Sequence, residues 1–229
     1  MKRDHPDVIE VGGLDPLPAP AATVVEVLAP LVTPRRIARM DAVIARRTRS
    51  LVPVLEDLAD PHNGAAVMRS ADAFGCHEVH VVEDRHPFLV SHRVTRGTHR
   101  WLDLVRHGSI EACLAHLKSQ GYRVFVAAMD GDHTPEQLAA VERASVVFGN
   151  EHKGVSEAVR RAADGTYAIP MEGFVESLNV SVASAITLYV ASRGRHGDLD
   201  EAAREEIRAR YLLASVRDAE RLVRERLAT

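Results

Sequence analysis

The chain has 229 residues, a hydrophobic fraction of 46% and a formal net charge of −3. That length suits one domain, or one domain with extensions, and the apolar content suffices for a packed core. No apolar run approaches the ~20 residues of a membrane helix, and Met1-Lys2-Arg3-Asp4 opens without the apolar stretch of a secretory signal. Two cysteines, Cys76 and Cys113, fit a reducing compartment better than a disulfide framework, so a cytoplasmic protein is expected. The slightly acidic sum argues against a uniformly basic nucleic-acid binder, but distribution matters more than the sum.

Residues 1–33 are rich in Pro, Ala and Val without a steady period, and read as a poorly ordered or loosely docked tail. Thr33 and Pro34 form an N-cap and first-turn pair that opens a helix over 34–50. Ile37, Met40 and Ile44 give this helix an apolar stripe. Thr33 to Ser50 also holds six arginines (35, 36, 39, 46, 47 and 49) against the single acid Asp41. Such a run is either a solvated face or a local basic footprint for RNA.

From Leu51 the chain alternates strand and helix. Strands are expected at Leu51–Leu58, Glu78–Glu83, Trp101–Arg106, Tyr122–Met129, Ser145–Phe148 and Thr166–Ile169. Helices are expected at Gly64–Phe74, Ser109–Gln120, Val155–Ala163 and Leu178–Arg193. This rhythm predicts an α/β domain over 51–196, a parallel sheet with helices on both faces. After Gly197, residues Ile207, Leu212, Val216, Ala219, Val223 and Leu227 line one face of a single C-terminal helix, an extension over 197–229.

No G-x-G-x-x-G follows the first strand, and no phosphate-loop motif is present, so a dinucleotide-binding domain is unsupported. Gly149 and Gly154 bracket Asn150-Glu151-His152-Lys153 between a buried strand and a short helix. Pro170 to Ser177 forms a second loop after the last strand. Two such loops at the carboxyl ends of parallel strands are where an open α/β sheet binds ligands. Histidines 77, 80, 86, 92 and 99 invite a metal reading, but their spacing matches no zinc pattern and no metal is expected.

Three segments carry a specific resemblance: Asn63-Gly64-Ala65-Ala66-Val67-Met68-Arg69, Phe148-Gly149-Asn150-Glu151-His152-Lys153-Gly154-Val155-Ser156, and Ser177-Leu178-Asn179-Val180-Ser181-Val182-Ala183-Ser184 after Ile169-Pro170-Met171. In this order they resemble the motifs of the SpoU (TrmH) branch of the SPOUT RNA 2′-O-ribose methyltransferases. The resemblance implies a deep C-terminal trefoil knot, which no periodicity could suggest, and S-adenosylmethionine as methyl donor, with S-adenosylhomocysteine as product. It assigns Gly149, Asn150, Glu151, Ile169, Met171, Ser177, Leu178 and Asn179 to the cofactor site. It makes Arg69 catalytic, with Asn63 orienting it or the ribose. An arginine there stabilises charge developing on the ribose oxygen, roughly 3–4 kcal/mol if comparable to an oxyanion-hole donor. It also implies a homodimer paired through the knot region.

The basic N-terminal helix and the C-terminal extension resemble the TrmH layout, which acts on the D-loop guanosine at tRNA position 18. By that match Arg36, Arg39, Arg47, Lys118, Arg193 and Arg195 contact tRNA phosphates, which makes binding salt-dependent. A ribosomal RNA or the wobble ribose of tRNA is the alternative substrate.

Overall fold

In the computed structural model, residues 7–11, 15–84 and 87–228 are described. In chain order the elements are β1 (Val8–Glu10), α1 (Ala21–Leu28), α2 (Pro34–Ile44), β2 (Leu51–Glu56), α3 (Pro61–Ala73), β3 (Glu78–Val82), β4 (Leu89–Ser91), α4 (His92–Thr95), β5 (Asp103–His107), α5 (Ile110–Ser119), β6 (Arg123–Ala127), α6 (Pro135–Ala139), β7 (Ala144–Phe148), α7 (Glu157–Ala162), β8 (Gly165–Tyr167), α8 (Val180–Ala191), α9 (Glu201–Ser215) and α10 (Ala219–Leu227). They fall into two compact units: residues 1–13 with 49–195, and residues 14–48 with 196–229.

The larger unit is built on a six-stranded sheet in the order β5-β3-β2-β7-β6-β8, and every neighbouring pair is parallel. All six residues of β2 and all five of β7 are buried, as expected of central strands covered on both faces. One face packs Val67, Met68 and Ala71 of α3 with Leu188 and Ala191 of α8. The other packs Cys113, Leu114 and Leu117 of α5 with Val159 of α7. The expected α/β layering is therefore present, and its strands lie within a few residues of the expected bounds.

Local chemistry sets the differences. The first core helix begins at Pro61 rather than Gly64, because Asp60 caps it by accepting from the His62 N–H at 2.8 Å and Pro61 fills the first turn. β1 and β4, a short antiparallel pair, had too little sequence to show a period. α6 was also not foreseen, although Thr134 and Gln137 form a capping box around Pro135.

The smaller unit is helical. α2 opens as expected on Thr33, whose hydroxyl accepts from the Arg36 N–H at 3.3 Å, and it buries Met40 and Ile44. α1 and α2 both pack on α9. The poorly ordered tail expected over 1–33 is thus corrected in its second half: α1 buries Val24 and Leu28 completely. Residues 1–6 and 12–14 lie outside the described residues. The single C-terminal helix is corrected to two. Val216 leaves α9 in an extended conformation and Asp218 adopts φ +55°, a break invisible to apolar spacing, which continues across it.

Candidate active site

The chain leaves β2 through α3 on one face of the sheet and leaves β7 through α7 on the other. β2 and β7 are neighbours, so their carboxyl ends flank a crevice at the point where the winding reverses. Ligands of open α/β sheets bind at such points.

Glu151 closes this crevice. Its carboxylate accepts from the Ala59 N–H at 3.1 Å, the Asp60 N–H at 3.2 Å and the Asn63 side-chain amide at 3.0 Å. Burial opposes its ionisation, but the bonds from Asn63 and from backbone N–H groups outweigh it and hold its pKa below the ordinary 4.5. Asn150 donates to the Asp57 carbonyl at 2.9 Å, fixing a residue that sits at φ +50°. Its own Oδ1 accepts from the His152 and Lys153 N–H groups at 3.0 and 3.3 Å. A Cβ on Gly149 would stand 2.3 Å from the backbone of Gly154 and Val155, so only glycine permits this close turn. Asn63, Gly149, Asn150 and Glu151 are thereby brought into one network.

Beside it, a cavity of about 560 Å³ opens at the carboxyl ends of β6 and β8. Ile169, Met171, Ser177 and Leu178 line it, as do Ala127, Ala128 and Met129 from the end of β6 and Val175, Glu176 and Ala183. The size lies in the range of about 300–1,000 Å³ typical of cofactor pockets, and the walls are small or apolar with few polar groups. Gly149, Asn150, Glu151 and Asn179 do not line it. Asn179 instead caps α8, accepting from the Ser181 N–H at 2.8 Å. The β6 wall escaped the sequence reading because Tyr122–Met129 is a continuous apolar run whose last residues look like strand. Its one signal is the sharp change to Asp130-Gly131-Asp132.

Arg69 stands exposed on α3, and α3 packs along α8. It is not part of the cavity wall, and it makes no ion pair among the described residues. The six residues from Asn63 to Arg69 span about 9 Å of helix, so the two act at different points.

The proposed phosphate contacts divide. Arg36 and Arg39 are exposed on α2, as are Lys118 and Arg193. Lys118 lies 3.9 Å from Asp164, at the amino edge of the sheet and away from the crevice. Arg47 is corrected: it is 1% exposed and donates to the Tyr211 hydroxyl at 3.1 Å, a buried structural contact. Arg195 is corrected too. Its guanidinium donates to the carbonyls of Ser50, Leu138, Val141, Glu142 and Ala191, which ties the end of α8 to the amino edge of the sheet and leaves little for a phosphate.

A second cavity, about 410 Å³, opens at the ends of β2, β3 and β7. Glu56, Asp57, Asp84, Glu111 and Glu157 line it against the single cation Lys153, an acidic balance that opposes an RNA backbone.

The chain is similar to known proteins over this same region. A profile of the SpoU rRNA Methylase family matches residues 50–189. The tRNA (guanosine(18)-2′-O)-methyltransferase of Thermus thermophilus is 36% identical over 164 residues, which cover 71% of this chain and 84% of that one. Among solved structures, the A. aeolicus TrmH/SpoU tRNA modifying enzyme superposes with a TM-score of 0.71 at 25% identity, covering 80% of this chain and 98% of that one. The SpoU methyltransferase AviRb from Streptomyces viridochromogenes, in complex with AdoMet, superposes at 0.58 with 27% identity, over 66% and 60% of the two chains. The matched stretch contains the crevice, the cavity and both loops that form them, and the chain belongs to the SpoU methylase family.

Proposed function

We propose that this protein is an S-adenosylmethionine-dependent tRNA 2′-O-ribose methyltransferase acting on the D-loop guanosine at position 18. The observation that carries the reading is the joint one: an apolar cavity at the ends of β6 and β8, beside a Glu151–Asn63 network anchored to the start of α3, in a chain whose relatives are named for this reaction.

The cavity fits the cofactor by size and by its small and apolar walls. Ala127, Ala128, Met129, Ile169, Met171, Ser177 and Leu178 would hold it, and when bound it supplies an electrophilic methyl group. The chain's own residues do the rest. Glu151 and Asn150 fix the β7 loop against the β2 end, so the crevice is preorganised rather than assembled on binding. Arg69 offers a guanidinium, a cationic donor and not a base. It therefore acts by charge, stabilising the ribose oxygen as it becomes more anionic. Asn63, bonded to Glu151, sets the first turn of the helix that carries Arg69. Of the exposed cations, Arg36 and Arg39 on α2 and, separately, Arg193 attract phosphates, whereas Lys118 lies away from the crevice beside Asp164.

The same reading proposes a trefoil knot formed by the loops after β7 and β8, and a homodimer through α8. Supporting the dimer, Val182, Ile186 and Tyr189 leave an apolar strip of α8 exposed, with Phe174 and Val175 exposed in the adjoining loop. An enzyme of tRNA belongs where tRNA is, in the cytoplasm. No described helix is long and apolar enough to cross a membrane.

Labelled S-adenosylmethionine, incubated with an unmodified tRNA transcript and with one whose guanosine 18 is replaced, tests the proposal. Label is expected in the first transcript alone. Equal labelling of both would move the target elsewhere.

A further inference from the structure

At the opposite edge of the sheet from the cavity, three imidazoles and a thiol converge from separate stretches of chain. His80 lies mid-strand in β3, His107 ends β5, and Cys113 and His116 lie one turn apart on α5. The His80 Nδ1 stands 3.0 Å from the His107 Nε2. The ring centroids of His80 and His107 are 5.1 Å apart, and each is 5.6 Å from that of His116. One donor atom from each of His80, His107 and Cys113 lies within 4.8 Å of the others. His80 and Cys113 are almost wholly buried.

A hydrogen bond between two neutral imidazoles accounts for the 3.0 Å contact alone. It leaves the His80 Nε2 buried with only the Glu78 carboxylate, 3.7 Å away, to face, and it gives no reason for the thiol and third imidazole beside the pair. A metal held between the rings accounts for the contact, the thiol and the third imidazole together. Two nitrogens about 2.05 Å from a tetrahedral zinc are separated by roughly 3.3 Å, so the observed pair needs to open only slightly. If His80 binds through Nδ1, its Nε2–H faces the Glu78 carboxylate, now 3.7 Å away. Such a carboxylate–histidine–metal relay commonly orients a ligating ring. Cys113 and His116 stand at i and i+3 on one face of α5, so the thiolate and the fourth ligand come from one rigid element.

We infer that His80, His107 and Cys113, with His116 in the fourth position, form a site for a borderline-soft divalent metal of the zinc class. Imidazole and thiolate donors select zinc over magnesium or calcium. The site would pin β3, the edge strand β5 and α5 together, at the opposite edge of the sheet from the cavity. Sequence spacing could not show it, since its ligands are gathered from three elements and no C-x-x-C pair exists.

The full-length protein, stripped with a chelator, is titrated with Zn²⁺ and separately with Co²⁺. One equivalent of Zn²⁺ per chain is expected, retained against excess Mg²⁺. Co²⁺ should give the near-ultraviolet thiolate charge-transfer band and the intense visible bands of a tetrahedral site. Cys113→Ala should abolish the charge-transfer band, and His107→Ala the stoichiometric binding, while circular dichroism and methyl transfer are unchanged. Cobalt bound without the thiolate band would overturn the assignment in the unmodified chain, whatever the variants do. So would full binding by a variant carrying both Cys113→Ala and His107→Ala, which would place the ion elsewhere, for instance at His77, Glu78 and Asp103. No stoichiometric binding of either ion would overturn it as well.

Discussion

The loops after β7 and β8 lie at the same edge of one sheet, yet they are built in opposite ways. The β7 loop is closed on itself. Gly149 lies against Gly154, the Gly154 N–H donates to the Asn150 carbonyl at 2.8 Å, and Glu151 reaches across to three donors on the α3 side. The β8 loop is open. Met171, Phe174 and Val175 are exposed, Phe174 fully so, and a Cβ on Gly173 would meet nothing within 4 Å. The first loop is complete within the chain. The second presents apolar surface whose burial, at about 25 cal/mol per Å², awaits a cofactor, a substrate or a second copy.

Arg69→Ala gives the largest effect expected under this account. Charge stabilisation lost at the reacting oxygen costs about 3–4 kcal/mol, a rate loss of roughly 100- to 1,000-fold, with cofactor binding unchanged. Single-turnover methylation beside equilibrium dialysis with S-adenosylmethionine checks both halves. Full activity in the variant would remove Arg69 from the chemistry.

The contrast between the loops is sharpened by one substitution made in each. Gly149→Ala forces a Cβ into backbone and should cost about 3 kcal/mol of stability. Gly173→Ala meets open space and should stay within about 0.5 kcal/mol of the parent. Denaturant midpoints measure the two, and equal costs would break the comparison. Phe174→Asp tests what the open loop awaits. Sedimentation should show the variant shifted toward monomer with its circular dichroism unchanged, whereas an unaltered assembly would leave the loop to cofactor or RNA.

The smallest effect is in pH. Because Glu151 is held below 4.5 in the fold, its contribution is fully present above that value. It is lost as pH falls through the lower folded pKa. Glu151→Gln should therefore flatten the acid limb of the stability profile and leave the neutral region nearly parallel to the parent. An acid limb of unchanged steepness would mean that Glu151 does not sense the fold.

What the sequence made legible follows from how local each signal is. The buried strands announced themselves as apolar runs, and Gly149, Asn63 and Glu151 stood in a recognisable order. Arginines did not sort themselves. Arg36 and Arg47 belong to the same basic run, but one faces solvent and the other is buried on Tyr211, a partner far away in the chain. Arg195 differs for the same reason, since the carbonyls it binds come from three separate stretches. The β6 wall of the cavity and the histidine cluster share this property: only the register of the sheet brings their members together.

This sheet edge is proposed to direct a methyl group to a ribose. The direct test is mass spectrometry of nuclease digests from tRNA treated with the full-length protein and S-adenosylmethionine. The expected product is 2′-O-methylguanosine, mapped to position 18 and resistant to alkaline cleavage at that linkage. A methyl group found on a base, or a D-loop left unmodified while the cofactor binds, would contradict it.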